Sequence, residues 1–346
     1  MYETSLEYTK EILSVLLNTP SPSGYCTEIM TTVQHEIEKL GYVFERTQKG
    51  NGLIRLATAE DSNAQNLLIS AHVDTLGAMV RSIKDNGKIR MTSIGGFTMN
   101  SIEGEYCVIH TRHGEKITGT ILNTMPSVHV YPEARTQERK EDVMEIRIDK
   151  DVKTKADVQA LGISVGDFIS FDPRVAFTED GFIKSRHLDD KAGIAIIFGA
   201  LHYLKTHFPQ VKKNISIMFS TYEEVGHGSS YIPDGIDTIL AIDMGAIGDD
   251  LSCTEKDVSI CVKDSTGPYD YHMVGELIEL AKEMKIEYVL DVYPSYGSDA
   301  SAALHAGHNI KAALIGPGVH ASHTMERTHE KGILNTMNLL LGYMLK

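Results

Sequence analysis

The chain has 346 residues, 42% of them hydrophobic, with 33 Lys and Arg against 47 Asp and Glu and a formal net charge of −14. That length allows a sizeable core and two domains, and the composition is that of a globular chain, not a disordered or fibrous one. The acidic balance argues against nucleic acid as a partner, because contacting phosphates needs a basic surface.

Taken in chain order, the opening "MYETSLEYTK" has neither the basic start nor the apolar stretch of a signal peptide. No run reaches the ~20 apolar residues of a membrane span, so no membrane partner is expected. Cys26, Cys107, Cys253 and Cys261 are scattered without CxxC spacing. This favours reduced thiols and a cytoplasmic location over a disulfide framework or a thiolate zinc site. Residues 3–17 and 28–40 carry apolar positions at helical spacing. In the second, Ile29, Met30, Val33, Ile37 and Leu40 share one face and Gly41 stands where a C-terminal cap belongs. "NLLIS" (66–70) then predicts a short buried strand.

From 77 to 183 the texture changes to short β-type runs: "AMVRSI", "KIRMTSI", "EYCVIHT", "KITGTIL", "MEIRI", "DFISF" and "GFIKS". Asn86-Gly87, His113-Gly114 and Asp180-Gly181 supply turns between them. After 187 strands and helices alternate again. "LDDKAGIAIIFGALHYLKTHF", "MVGELIELAKEM" and "GILNTMNLLLGYML" predict helices; "NISIMFS", "TILAID" and "KAALIG" predict strands. The expected fold is α/β, a mainly parallel mixed sheet flanked by helices, formed by residues 1–76 and 184–346. A compact β domain, 77–183, is inserted into it.

Ionisable residues gather where strands end. "LLISAHVD" ends with His72 and Asp74, "ISIMFSTYEE" with Glu223 and Glu224, and "TILAID" with Asp243; "AALIGPGVHASH" leads into His320 and His323. In open α/β sheets ligands bind beyond the carboxyl ends of the strands, so these groups converge on one site. Asp189 and Asp190 join them from the far side of the insert. Clustered carboxylates in a cleft need compensating positive charge. Two histidines with three or four carboxylates suit a pair of borderline divalent metals such as zinc or cobalt better than calcium. A spare carboxylate beside the ligands would move a proton. Each group alone has a plainer reading: a solvated Glu-Glu pair, an N-cap at Asp189-Asp190, a turn at Asp243. Their joint placement outweighs those readings.

"PSPSG" (20–24), "AHVDTLG" (71–77), "HLDDKAG" (187–193), "TYEEVG" (221–226), "AIDMG" (241–245), "YGSDASA" (296–302) and "SHTMERTH" (322–329) resemble, in order, the motifs of the M42 metallo-aminopeptidases. Members have been labelled glutamyl aminopeptidases or endoglucanases. The resemblance spans nearly the whole chain. It implies two divalent ions per subunit (zinc, or cobalt or manganese), with His72 and Asp243 on one, Glu224 and His323 on the other, and Asp189 bridging. It further implies that Glu223 is the general base activating a metal-bridging hydroxide, and that Asp74 orients His72. The Asp189–Asp190 peptide is expected to be cis. Glu223 and Glu224 are expected to diverge because neighbours on an extended strand end point oppositely. Ser298 and Asp299 are candidate substrate contacts.

The implied activity is removal of the N-terminal residue from short peptides. The implied assembly is a homo-oligomer, dimers joined through a PDZ-like or barrel-like insert and built into a dodecamer. The sequence departs from the family in "SHTMERTH", where His320 and His329 flank His323, and in His227-Gly228 after the Glu-Glu pair. Competing readings are a metal-dependent deacylase of N-acylated amino acids, a glycoside hydrolase using two carboxyls, and a scaffold without activity.

Overall fold

The computed structural model describes residues 5–57 and 64–346. Residues 3 and 4 of the first expected helix lie outside that set. The chain opens with α1 (Leu6–Leu17) and α2 (Thr27–Lys39), followed by β1 (Glu45–Arg46), β2 (Gly52–Ala57) and β3 (Asn66–His72). In α2 the expected face, Ile29, Met30, Val33 and Ile37, is buried, and Gly41 ends the helix region with a φ of 82°.

Six strands then close into a barrel: β4 (Gly77–Ile83), β5 (Ile89–Ile94), β6 (Tyr106–His110), β7 (Lys116–Asn123), β8 (Met144–Ile148) and β9 (Phe168–Phe171). Their order around the barrel is β4-β5-β8-β7-β6-β9, with β9 pairing back to β4. Inward-facing Val80, Ile89, Met91, Ile109, Ile121, Ile146 and Ile169 fill it as an apolar core distinct from the main one. A short helix, α3 (Lys155–Ala160), interrupts the barrel strands behind a Thr154–Asp157 capping box. The expected turns at Gly87, Gly114 and Gly181 all have positive φ.

The last β run of this stretch does not join the barrel. β10 (Ala176–Phe177) and β11 (Phe182–Ser185) form a three-stranded sheet with β18 (Glu326–His329). Ile183 belongs to the main core, and the Phe182 ring meets His329 edge-on at 4.8 Å, so its apolar side chains draw "GFIKS" away.

The remaining elements are α4 (Leu188–His207), β12 (Asn214–Ser220), β13 (Thr238–Ile242), β14 (Gly245–Ala246), β15 (Val258–Lys263), α5 (Tyr271–Met284), β16 (Tyr288–Val292), α6 (Asp299–His305), β17 (Lys311–Val319) and α7 (Glu330–Leu345). The large sheet runs β1-β2-β12-β3-β13-β17-β15-β16, with β14 also on β17. Its centre, β12-β3-β13-β17, is parallel, whereas β2 and β15 attach antiparallel. The mixed sheet is therefore as expected. The sequence reading does not single out β2, β15, β16 or α6. α4 is buried all round along most of its length, as a helix under a sheet and two others must be. Among the described residues, no helix is long and apolar enough to cross a membrane.

Candidate active site

The parallel registers bring the strand ends level. Ser220 pairs with His72, and Ala241 with Ser70, so the residues that follow each strand emerge along one edge. Asp243 follows β13 directly. Its approach depends on Gly316 in β17, where any Cβ would overlap the Asp243 carbonyl. Asp189 and Asp190 begin α4 with non-helical backbone angles, and the peptide between them is cis.

Asp189 lies between two imidazoles. Its Oδ1 is 3.2 Å from His72 Nε2, and its Oδ2 is 3.3 Å from His323 Nε2. Glu223 Oε2 stands 3.6 Å from His72 Nε2, while Glu224 Oε2 stands 3.4 Å from His323 Nε2. The Glu-Glu pair thus diverges, but not for the expected reason. β12 ends at Ser220, Tyr222 is left-handed at φ 67°, and Glu223–Val225 form one 3-10 turn. The turn, not strand alternation, separates the two carboxylates.

Asp74 holds that turn. Its Oδ1 accepts from Glu223 N at 3.1 Å and its Oδ2 from Glu224 N at 3.2 Å and Ser23 Oγ at 2.5 Å. His72 Nδ1 donates instead to the Asp74 backbone carbonyl at 2.9 Å; the carboxylate is 3.7 Å away. Asp74 therefore sets the ring through its main chain and the Glu-Glu turn through its side chain. Either way His72 Nε2 is left to face the cleft.

Burial raises the proton affinity of the carboxylates here, and crowding adds to it. Glu223 and Glu224 are held well above the ordinary carboxylate range, by burial first and then by the charge of Asp243 on Glu223 and of Asp189 on Glu224. Asp243 is pushed up to about 7 by burial and by Asp189. Burial acts on Asp189 too, but its bonds to His323 and His72 outweigh it and hold it low. Burial would lower both histidines, yet their carboxylate contacts raise His323 to about 10 and His72 well above its usual value. Such a set fits a bound cation: convergent imidazole and carboxylate donors whose negative charge is otherwise uncompensated. The trios His72/Asp190/Asp243 and His72/Asp189/Glu224 each offer ligand atoms within 4.8 Å of one another. Lys191 does not supply the compensation, since its buried ammonium turns away to the Thr19 carbonyl at 2.7 Å.

A cleft of about 450 Å³ opens over the cluster, walled by Met244, Ser295, Tyr296, Gly297 and Gly226. Ser298 and Asp299 do not reach it, contrary to their expected role as substrate contacts. Ser298 caps α6 through Ser301, and Asp299, 3% exposed, accepts from the Ser70 and Ser220 hydroxyls. Capping turns Ser298 inward, the two serine hydroxyls hold Asp299, and their predecessors, Ser295 to Gly297, face the cleft. His227 stacks on Tyr222 at 5.0 Å, and His329 caps α7 while donating to the Asp180 carbonyl.

Three further residues hold the site together; of these Asp190 was expected to gather there, and Glu326 and Asn51 were not. Glu326, 2% exposed, accepts from Asp189 N at 3.1 Å and His323 N at 3.0 Å, tying the two segments together. Asp190 accepts from His72 N and Gly193 N. Asn51, from the loop before β2, accepts from Thr221 N and Oγ1 and donates to the Gly228 carbonyl, bracing both ends of the Glu-Glu loop. Glu326 lies three residues beyond His323 in the same motif, whereas nothing local marks Asn51.

The profile of the M42 glutamyl aminopeptidase family matches residues 50–339. The chain is 47% identical over 341 residues to the putative aminopeptidase YhfE of Bacillus subtilis, covering 98% of both chains. It is 24% identical over 313 residues to the glutamyl aminopeptidase of Lactococcus lactis, covering 88% of this chain and 86% of that one. In fold it is similar to the aminopeptidase APDkam598 of Desulfurococcus kamchatkensis, with a TM-score of 0.87 at 21% identity over 98% and 96% of the chains. It is also similar to the TET1 peptidase of Pyrococcus horikoshii, described as assembling into a tetrahedron or a large octahedral shell (TM-score 0.86, 22% identity, 98% and 99% covered). The chain belongs to the M42 glutamyl aminopeptidase family and is an aminopeptidase, a hydrolase of peptide bonds.

Proposed function

We propose that this aminopeptidase works with two divalent ions, zinc or else cobalt or manganese, and trims short peptides from a free amino terminus. The observation that carries the reading is Asp189, whose two oxygens face His72 on one side and His323 on the other. In this reading His72 and Asp243 hold one ion, Glu224 and His323 the other, and Asp189 lies between. The ions, when bound, supply the charge that polarises the scissile carbonyl and eases deprotonation of water. Glu223 takes the proton from the attacking water and passes it to the leaving amine nitrogen. Asp74 and Asn51 keep Glu223 on station, and the wall of Met244 and Tyr296 receives the residue to be released. Within residues 77–183 the barrel of β4 to β9 is the inserted domain and joins subunits, consistent with the shells described for the TET1 relative.

The test pairs free and N-acetylated versions of the same short peptides, using protein stripped with a chelator and reloaded with zinc or cobalt. Metal-dependent release of amino acids from the free peptides alone is expected. Cleavage mainly of the acetylated set, or activity indifferent to the chelator, would overturn the reading.

A further inference from the structure

The loop that leaves β5 carries the barrel to the active site. His323 Nδ1 donates to the Gly96 carbonyl at 2.5 Å, which leaves its Nε2 directed at Asp189 and Glu224. Gly95 beside it has a φ of 77°, and a Cβ there would collide with Leu76 Cδ2 and come 3.7 Å from the Glu224 Cβ. A second tie lies behind the histidine. Arg186, 3% exposed, donates to the Ser101 carbonyl at the end of the same loop and to the Thr324 carbonyl, 3.2 Å away, beside His323. Phe97, Ser101 and Phe171 close the space between Arg186, His187 and His323 down to about 10 Å³.

His323 needs such support. It sits on a left-handed backbone, φ 63°, in a segment between β17 and β18, and its side chain is 35% exposed. His72, by contrast, is set by its own strand and 2% exposed. An imidazole that is to present Nε2 in one direction needs an acceptor on Nδ1 and a fixed ring plane. For His72 that acceptor lies two residues along the chain. For His323 it comes from a part of the sequence 227 residues away.

We propose that Gly95–Ser101 is a positioning loop through which the barrel completes one half of the metal site. The Gly96 carbonyl sets the tautomer and direction of His323, Gly95 permits the turn that places that carbonyl, and Arg186 locks the loop to the His323 segment. The inference rests on the reading of His323 as a ligand. It adds that this half of the site depends on the barrel, while the His72 half does not.

The test compares zinc binding by the full-length wild type, Gly95→Ala and Gly114→Ala, using chelator competition, with cobalt absorption bands followed equivalent by equivalent. Gly114, at φ 90° on the β6–β7 hairpin with nothing near its missing Cβ, matches the backbone cost without touching the site. Gly95→Ala is expected to weaken one of two zinc equivalents by roughly 10–100-fold, to change the cobalt spectrum of that equivalent only, and to leave the other unchanged. Gly114→Ala is expected to bind as the wild type does. If Gly95→Ala does not fold, Arg186→Gln carries the test, with a drop of about tenfold expected at the same equivalent. Two undisturbed equivalents in Gly95→Ala, or in Arg186→Gln, would overturn the proposal while leaving the function intact. A wild type that binds fewer than two equivalents would overturn the dinuclear reading itself, and this inference with it.

Discussion

The barrel and the carboxyl edge of the large sheet are both made of short, tightly paired strands, yet they bury opposite kinds of side chain. The barrel interior is Ile, Val and Met, so its burial is itself the stabilising contribution. The sheet edge buries His72, Asp74, Asp189, Asp190, Asp243 and Glu326, none more than 5% exposed. Burying such groups costs free energy unless each finds partners. The partners are largely backbone N–H groups: those of Glu223 and Glu224 for Asp74, His72 and Gly193 for Asp190, and Asp189 and His323 for Glu326. One region thus holds the chain together, and the other spends stability on holding charges at fixed positions.

That contrast predicts a separation of effects. The largest belongs to the edge: Glu223→Gln is expected to lower kcat by roughly 10²–10⁴-fold without loss of bound metal, measured by steady-state kinetics alongside metal content. Near-normal kcat would remove Glu223 from the chemistry. In the barrel, Ile109→Ala, at a position with no exposure, is expected to cost about 2–5 kcal/mol of stability. Denaturant unfolding would show this, with kcat/KM of the folded fraction little changed. A kinetic loss as large as the stability loss would mean that the two regions are not separable.

The smallest effect turns the comparison around, because the barrel has one buried histidine of its own. His110 is lowered to about 4, by burial first and then by Lys116, against the pull of Glu28; its Nε2 meets Ser170 Oγ at 2.8 Å and Tyr25 packs on its ring. In the unfolded chain it titrates near 6.5, so between 6.5 and 4 the unfolded state binds the proton that the folded state refuses. Its contribution is therefore complete above that window and lost as the pH falls through it. The expected loss is roughly 2 kcal/mol once solvent screening is allowed for. His110→Gln should flatten that part of the stability–pH curve; an unchanged slope would assign it to other groups.

Much of this molecule could be read from local pattern. Helical spacing marked α2, α4, α5 and α7, alternating and apolar runs marked β3, β12, β13, β17 and the barrel strands, and Asn-Gly and Asp-Gly pairs marked the turns, because each of these signals lies within a few residues of its effect. The gathering of His72, Glu223, Glu224 and Asp243 was legible for a related reason: ionisable groups directly after apolar runs have few places to go but the end of a sheet, while Asp189 and His323 were expected there from the return of the chain after the insert and from the order of the motifs. The departures are either long-range or hang on the backbone of a single turn. "GFIKS" has the pattern of a barrel strand, but only the packing of Ile183 and Phe182 sends it to β18. Ser298 and Asp299 carry the right chemistry for a cleft, but a cap withdraws the first and the Ser70 and Ser220 hydroxyls the second. The divergence of Glu223 and Glu224 comes from a left-handed Tyr222. Asn51, Glu326 and the Gly96 carbonyl act through hydrogen bonds to distant segments. The residue types and their order thus determined which chemistry this chain can carry. Tertiary structure decided which atoms hold it in place, because a hydrogen bond between residues 227 positions apart leaves no periodicity to read.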